Sequence, residues 1–246
     1  MTMDFQNRAL LNVDMPSWYY DGVTAKTRNL GTLGGAVQLG DGTTVGTFPT
    51  QVFPHGMSFD GGDYLLVDNS SGAYNFNGGT PDLPFSLEVL VRPSATVAGE
   101  LMTKGPPYAA PGGWIFETFT AGGLTSPLML FTDAAGAYFY GYASGTMPLA
   151  PVVRHVVMSY TGGGTIASIS MYVDSVARAV VGAAGGGVYT GLSAGVLPVY
   201  VGGAALLSNR WYGSIFNAAI YPFALQPGEV AQLYRQRLAM LNRGAG

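Results

Sequence analysis

From Trp18 onward the apolar positions fall into runs of four to eight residues, separated by Gly, Asp-Gly, Asn-Gly or Pro. This punctuation predicts many short antiparallel strands joined by turns, over 36–39, 56–60, 64–67, 85–92, 100–103, 113–119, 127–133, 138–143, 152–160, 167–173, 176–182, 199–202 and 213–221. Within 85–92, Phe85, Leu87, Val89 and Val91 alternate with Ser86, Glu88 and Arg92, and only Leu90 breaks the pattern, which predicts a strand with one face in a core and the other in water. In the same way Ile169, Met171 and Val173 are expected inward, with Ser168, Ser170 and Tyr172 outward. Thirteen such segments predict an all-β, two-layer antiparallel sandwich over one core.

The two ends differ. Residues 1–17 have weak periodicity and read as an N-terminal arm or a short edge strand with little core of its own. At the other end Pro227 suits a first helical turn and Glu229 complements its dipole. Val230, Leu233, Tyr234, Leu238 and Leu241 recur at helical spacing, with Arg235, Arg237 and Arg243 toward the C-terminus, so a helix is predicted over 227–243. No composition break or fixed repeat divides the middle, and one domain is expected over 18–246.

Composition narrows the function. Only 10 % of residues are charged, with Lys+Arg 11 against Asp+Glu 14, so no basic surface is available for a phosphate backbone and nucleic acid is not an expected partner. With no Cys, disulfides, thiolate metal sites and cysteine nucleophiles are excluded. Met1–Arg8 holds an acid at position 4 with no apolar run behind it, so no signal peptide is expected, and no run is long enough for a membrane-spanning helix.

Four ordered blocks resemble the laminin G-like, concanavalin A-like jelly-roll family, in the form common among bacterial and phage surface proteins. The first is Met57-Ser58-Phe59-Asp60-Gly61-Gly62-Asp63-Tyr64-Leu65-Leu66-Val67, similar to the family's opening strand. The second is 85–93, followed by Leu101-Met102-Thr103-Lys104-Gly105, similar to a Lys-Gly turn. The third is 155–160 with 170–174, similar to a hairpin closed by Asp-Gly, although Asp174-Ser175 stands here, and His155 matches the family's structural histidine. The fourth runs from Val201-Gly202-Gly203 through Trp211 to Tyr234; Phe216-Asn217 occupies the place of an acidic pair.

The family's fold hosts lectins and glucanases, so catalysis rests on residues. Glycoside hydrolysis needs two carboxyl groups about 5–9.5 Å apart, which on one strand means acids two or four positions apart. Glu88, Glu100, Glu117 and Glu229 have no such partner, and Glu88 is followed by Leu90 and Arg92 where the glucanases' Glu-x-Asp-x-x-Glu would continue. No enzyme is expected. A calcium site would draw on Asp60, Asp63 and Asp68, against the plainer expectation that these cap turns and that no cofactor is bound.

Ligand-binding candidates are aromatic. Tyr138, Tyr140 and Tyr142 alternate and share one face, while the Pro-rich loop over 105–114 presents Tyr108 near Trp114. The competing arrangement turns the three tyrosines toward the core and Phe139 outward. Two functions follow as expectations. One is a non-catalytic structural or adhesion component of a virion surface, such as a phage capsid decoration, fibre or tail-associated protein, packed against other subunits or a homo-oligomer. The other is a carbohydrate-binding lectin-like module meeting host glycans.

Overall fold

A computed structural model of the chain describes residues 8–20, 24–40, 48–52, 56–79, 81–94, 99–105, 112–121, 124–144, 152–203 and 210–243. Seventeen strands and one α-helix run in the order β1 (Leu11–Tyr20), β2 (Ala25–Asn29), β3 (Ala36–Leu39), β4 (Thr50–Val52), β5 (Gly56–Asp60), β6 (Leu65–Val67), β7 (Phe85–Pro93), β8 (Gly99–Lys104), β9 (Gly113–Ala121), β10 (Leu124–Thr132), β11 (Tyr138–Ala143), β12 (Arg154–Tyr160), β13 (Ile169–Val173), β14 (Val176–Arg178), β15 (Val180–Gly185), β16 (Val199–Val201), β17 (Tyr212–Tyr221) and α1 (Pro227–Arg243). Every pairing between these strands is antiparallel. The strands form two layers. Sheet I runs β4-β5-β17-β7-β12-β13-β14. Sheet II runs β1-β2-β3-β6-β16-β8-β9-β10-β11-β15.

Residues 9–15 do not project as an arm. Leu11 and Asn12 pair with Ile220 and Ala219 in sheet I, Val13 then pairs with Asn29 in sheet II, and Leu11, Val13 and Met15 are buried in the core. Asn29 holds this crossing: its Oδ1 accepts from Asn12 N at 2.9 Å and Gly31 N at 2.8 Å, and its Nδ2 donates to Leu10 O at 3.1 Å.

The core fills the space between the sheets with facing rings and aliphatic chains, including Phe85 stacked on Phe76 at 4.3 Å and Phe131 on Phe139 at 4.6 Å. At one rim Asp82 gathers loops around Tyr160: it accepts from Tyr160 Oη and Tyr189 Oη at 2.8 Å each and from Leu192 N at 2.6 Å. Asp174 and Ser175 turn the β13–β14 hairpin with φ of 52° and 66°, the left-handed geometry that Asp-Gly would adopt with less strain. Asp174 offsets the strain by accepting from Arg154 at 2.6 Å and from His155 N at 3.0 Å.

Around Ser86 and Glu88 the outer face of sheet I is dry, which corrects the expectation that they meet water. α1 lies across it, packing Val230 and Leu233 on Val157, Tyr172, Ala219 and Tyr221, and so covers the polar side of β7. Glu88, fully buried, accepts two bonds from Arg237 at 2.8 and 2.9 Å and one from Tyr221 Oη at 2.6 Å, with His155 Nε2 2.9 Å away. Burial opposes the charge of Glu88, yet the guanidinium and the imidazole hold its carboxyl well below the usual carboxylate range. Arg237 is therefore a buried clamp rather than a solvent cation at the helix end, and Leu238 is exposed in its stead. No helix among the described residues is long and apolar enough to cross a membrane.

Candidate functional site

Among the described residues no helix covers the outer face of sheet II. Along β11 the burial alternates, with Phe139 in the core and Tyr138, Tyr140 and Tyr142 half-buried on the outer side. The ladder is thus the reverse of the arrangement that put the tyrosines inward. Register builds a grid around it. Tyr142 faces Leu128, which faces Glu117; Tyr140 faces Leu130, which faces Ile115; Tyr138 faces Thr132. Ile115, Leu128 and Leu130 form a small apolar cluster beneath the rings of Phe119, Tyr138, Tyr140 and Tyr142. Phe119 meets Tyr142 edge to face, with centroids 5.1 Å apart. On the far side Val181 and Ala183 of β15 lie opposite Tyr142 and Tyr140. The three phenols stand in a row on a rigid strand, spaced by two residues, or about 6.8 Å. Such a row offers flat apolar rings for the faces of a sugar and hydroxyls for its rim.

A second feature of this face was hidden in the sequence. Glu100 of β8 lies directly opposite Glu117 of β9, so two carboxyl-bearing residues pair across strands although neither has an acidic partner along its own strand. Burial pushes the Glu117 carboxyl up to about 7. Glu100 is only 2 % exposed, its backbone bridged to Arg210.

The other candidates lie elsewhere. Trp114 is not a platform. Gly112, at φ 77° and tight against the backbone of Asp133, turns the chain into β9 so that the indole points into the core, 1 % exposed, with Nε1 donating to Tyr74 O at 3.4 Å. Tyr108 lies outside the described residues, as does His55. Lys104 is buried opposite Trp114; its amine has no hydrogen-bond partner among the described residues, and burial lowers its pKa to about 8. Asp60, Asp63 and Asp68 serve turns. Gly62 N donates to Asp60 Oδ1 at 2.7 Å, Asp60 N to Asp63 Oδ2 at 2.9 Å, and Ser70 N to Asp68 Oδ1 at 3.0 Å. Burial raises the Asp63 carboxyl to about 6, with Asp60 adding to the rise and Arg210 opposing it. Among the described residues no three His, Cys, Asp or Glu side chains converge as metal ligands.

The architecture defines a two-layer antiparallel β-sandwich of the jelly-roll class. No family model matches the sequence, and no curated protein matches it. Solved structures do. The binding domain of Paraclostridial Mosquitocidal Protein 1 is similar over 95 % of this chain and 53 % of that one, with a TM-score of 0.65 and 12 % identity. The binding domain of Botulinum Neurotoxin DC in complex with SialylT is similar over 94 % and 51 %, with a TM-score of 0.58 and 9 % identity. Domain 4 of AbnA, a GH43 extracellular arabinanase from Geobacillus stearothermophilus, in complex with arabinotriose, is similar over 91 % and 99 %, with a TM-score of 0.57 and 12 % identity. The chain spans about half the length of the toxin binding domains it matches. At these identities the likeness is one of fold.

Proposed function

We propose that this chain is a non-catalytic, laminin G-like binding module that holds carbohydrate on the outer face of sheet II. The observation that carries the reading is the Tyr138–Tyr140–Tyr142 row, half-exposed over an apolar cluster on a strand whose opposite side is locked into the core. The similarity to an arabinanase domain in complex with arabinotriose and to a toxin binding domain in complex with SialylT supports it. Binding rather than hydrolysis is favoured because the carboxyl-bearing pair on this face includes Glu100, too buried to reach a glycosidic oxygen, while Glu88 is enclosed under α1.

Glycan-array binding tests the proposal. The wild-type chain binds a defined set of glycans, and Tyr140→Ala weakens that binding about tenfold or more, equivalent to about 1.4 kcal/mol. Tyr140→Leu, which keeps the apolar cover over Leu130, has the same effect. Silence across a broad array overturns the reading.

A second reading places the module on a virion surface. Its support is the low charge, 10 % of residues, which suits a surface that meets other subunits. Purified particles that contain the chain support it, and a chain absent from every particle removes it.

A further inference from the structure

We propose that β15 is a self-pairing edge, along which two copies of this chain join their second sheets about a two-fold axis. β15 pairs only with β11 among the described strands. Ser144 N donates to Ala179 O at 2.7 Å, so Ala179, Val181, Ala183 and Gly185 turn their backbone groups toward β11. By alternation the N–H and C=O of Val180, Gly182 and Ala184 point away from the sheet. Among the described residues no strand pairs with these outward groups, and the chemical complement of such a ladder is another extended strand.

The remaining edges are blunted. β14 ends sheet I after three residues and places Arg178 opposite Met171, on its core-facing side. β4 is three residues long. β1, at the far edge of sheet II, contains Asp14 and Pro16 and its register shifts between Val13 and Trp18. β15 has six residues, Val-Val-Gly-Ala-Ala-Gly, with no charge and no proline, and its register with β11 is unbroken. Short edges, inward charges, prolines and bulges are the usual means of keeping a sheet from extending, and β15 has none of them.

The occupant is a second copy because of what the strand and its surroundings lack. Residues 179–203 contain no charged side chain, so an antiparallel copy brings no like charges together. Side chains of Gly and Ala size let two such strands approach in their own register without steric conflict. Val181 and Val188, exposed by 41 % and 85 %, add apolar surface on the strand and just past its end. A two-fold pairing also closes on itself and consumes the free edge, whereas a head-to-tail contact would propagate. In the dimer the two tyrosine rows lie three strand spacings apart, about 14 Å, on one continuous face. That last consequence rests on the carbohydrate reading; the pairing itself does not.

Light scattering on the full chain after size exclusion, at about 100 μM, tests it. The expected mass is twice the 25.6 kDa of the chain. Ala184→Pro removes an outward N–H and leaves the β11 ladder untouched. Ala183→Lys sets like charges across the pair. Both become monomers with unchanged circular dichroism. Because the chain has no Cys, Ala183→Cys gives a clean disulfide-linked dimer under mild oxidation. A wild-type monomer at this concentration, or a dimer that survives both Ala184→Pro and Ala183→Lys, overturns the proposal. Glycan binding by the Ala184→Pro variant, whose changed side chain lies opposite Phe139 on the face away from the tyrosine row, separates this outcome from that of the carbohydrate reading.

Discussion

The clamp under α1 gives the sharpest stability test. Glu88→Gln keeps the size of the side chain but removes the charge that accepts two bonds from Arg237 and one from Tyr221. The guanidinium, 4 % exposed, is then left buried without its counter-charge. Breaking a buried pair from one side costs about 3–5 kcal/mol, a large part of the total stability of a domain. At about 2–4 °C per kcal/mol for a chain of this length, Tm falls by about 6–20 °C. Urea unfolding followed by tryptophan fluorescence measures this directly, because Trp114 and Trp211 are both buried and report loss of the core. The double variant Glu88→Leu/Arg237→Met removes both charges and recovers only part of the loss, since it leaves the buried Tyr221 hydroxyl and His155 Nε2 without their acceptor. Because the Glu88 carboxyl is held well below the ordinary range, its contribution is complete above the ordinary value of 4.5 and is lost progressively as pH falls below it. A cost under about 1 kcal/mol for Glu88→Gln would refute the reasoning, since it would mean that Arg237 finds water or another acceptor at no expense.

Other consequences are independent of the clamp. Burial raises the Glu117 carboxyl from 4.5 to about 7, so its favourable contribution is complete below pH 4.5 and is lost as pH rises to 7. After discounting for its partial exposure the loss is about 2 kcal/mol, and Glu117→Gln flattens this part of a Tm-against-pH curve; an unchanged curve contradicts the assignment. Asp63 acts in the same direction between 3.8 and about 6, so the wild-type chain melts higher at pH 5 than at pH 8. Millimolar calcium leaves Tm unchanged, because Asp60, Asp63 and Asp68 each cap a turn; a clear upward shift reveals a metal site. Trp114→Phe lowers stability but leaves glycan binding by the folded protein intact, and a selective loss of binding would return Trp114 to the ligand surface.

Period-two alternation made much of the fold legible. β3, β5 and β11 occupy the residues where the apolar pattern places them, and α1 spans 227–243. What the pattern misjudged has a common cause, namely partners distant in sequence. Ser86 and Glu88 read as solvent-facing because the helix that buries them lies about 140 positions later. Arg237 read as a cation completing a helix dipole for the same reason. β2 and β4 have no counterpart in the pattern, and β1 reads only as an arm or a short edge strand without its own core: β1 changes sheets partway, and β4 is only three residues long, too short to show a period. The 176–182 run split into β14 and β15 because the chain crosses between sheets at Ala179.

The site divides along the same line. The tyrosine row is local and was visible, but which side faced the core was decided by Phe139 stacking on Phe131. The opposition of Glu100 and Glu117 depends on a cross-strand register that shifts between Glu100 and Met102, and no spacing along one strand encodes it. Trp114 looked like a loop aromatic because the prolines beside it suggested exposure, whereas two glycines at 112 and 113 let the chain turn it inward.

Ring resonances of Tyr138, Tyr140 and Tyr142, followed by NMR while arabinotriose or a sialylated oligosaccharide is added, bear most directly on the ligand surface. Shifts confined to these rings and Phe119, with the sugar recovered uncleaved, are the predicted outcome. Unmoved tyrosines beside a bound sugar, or a cleaved one, would contradict it.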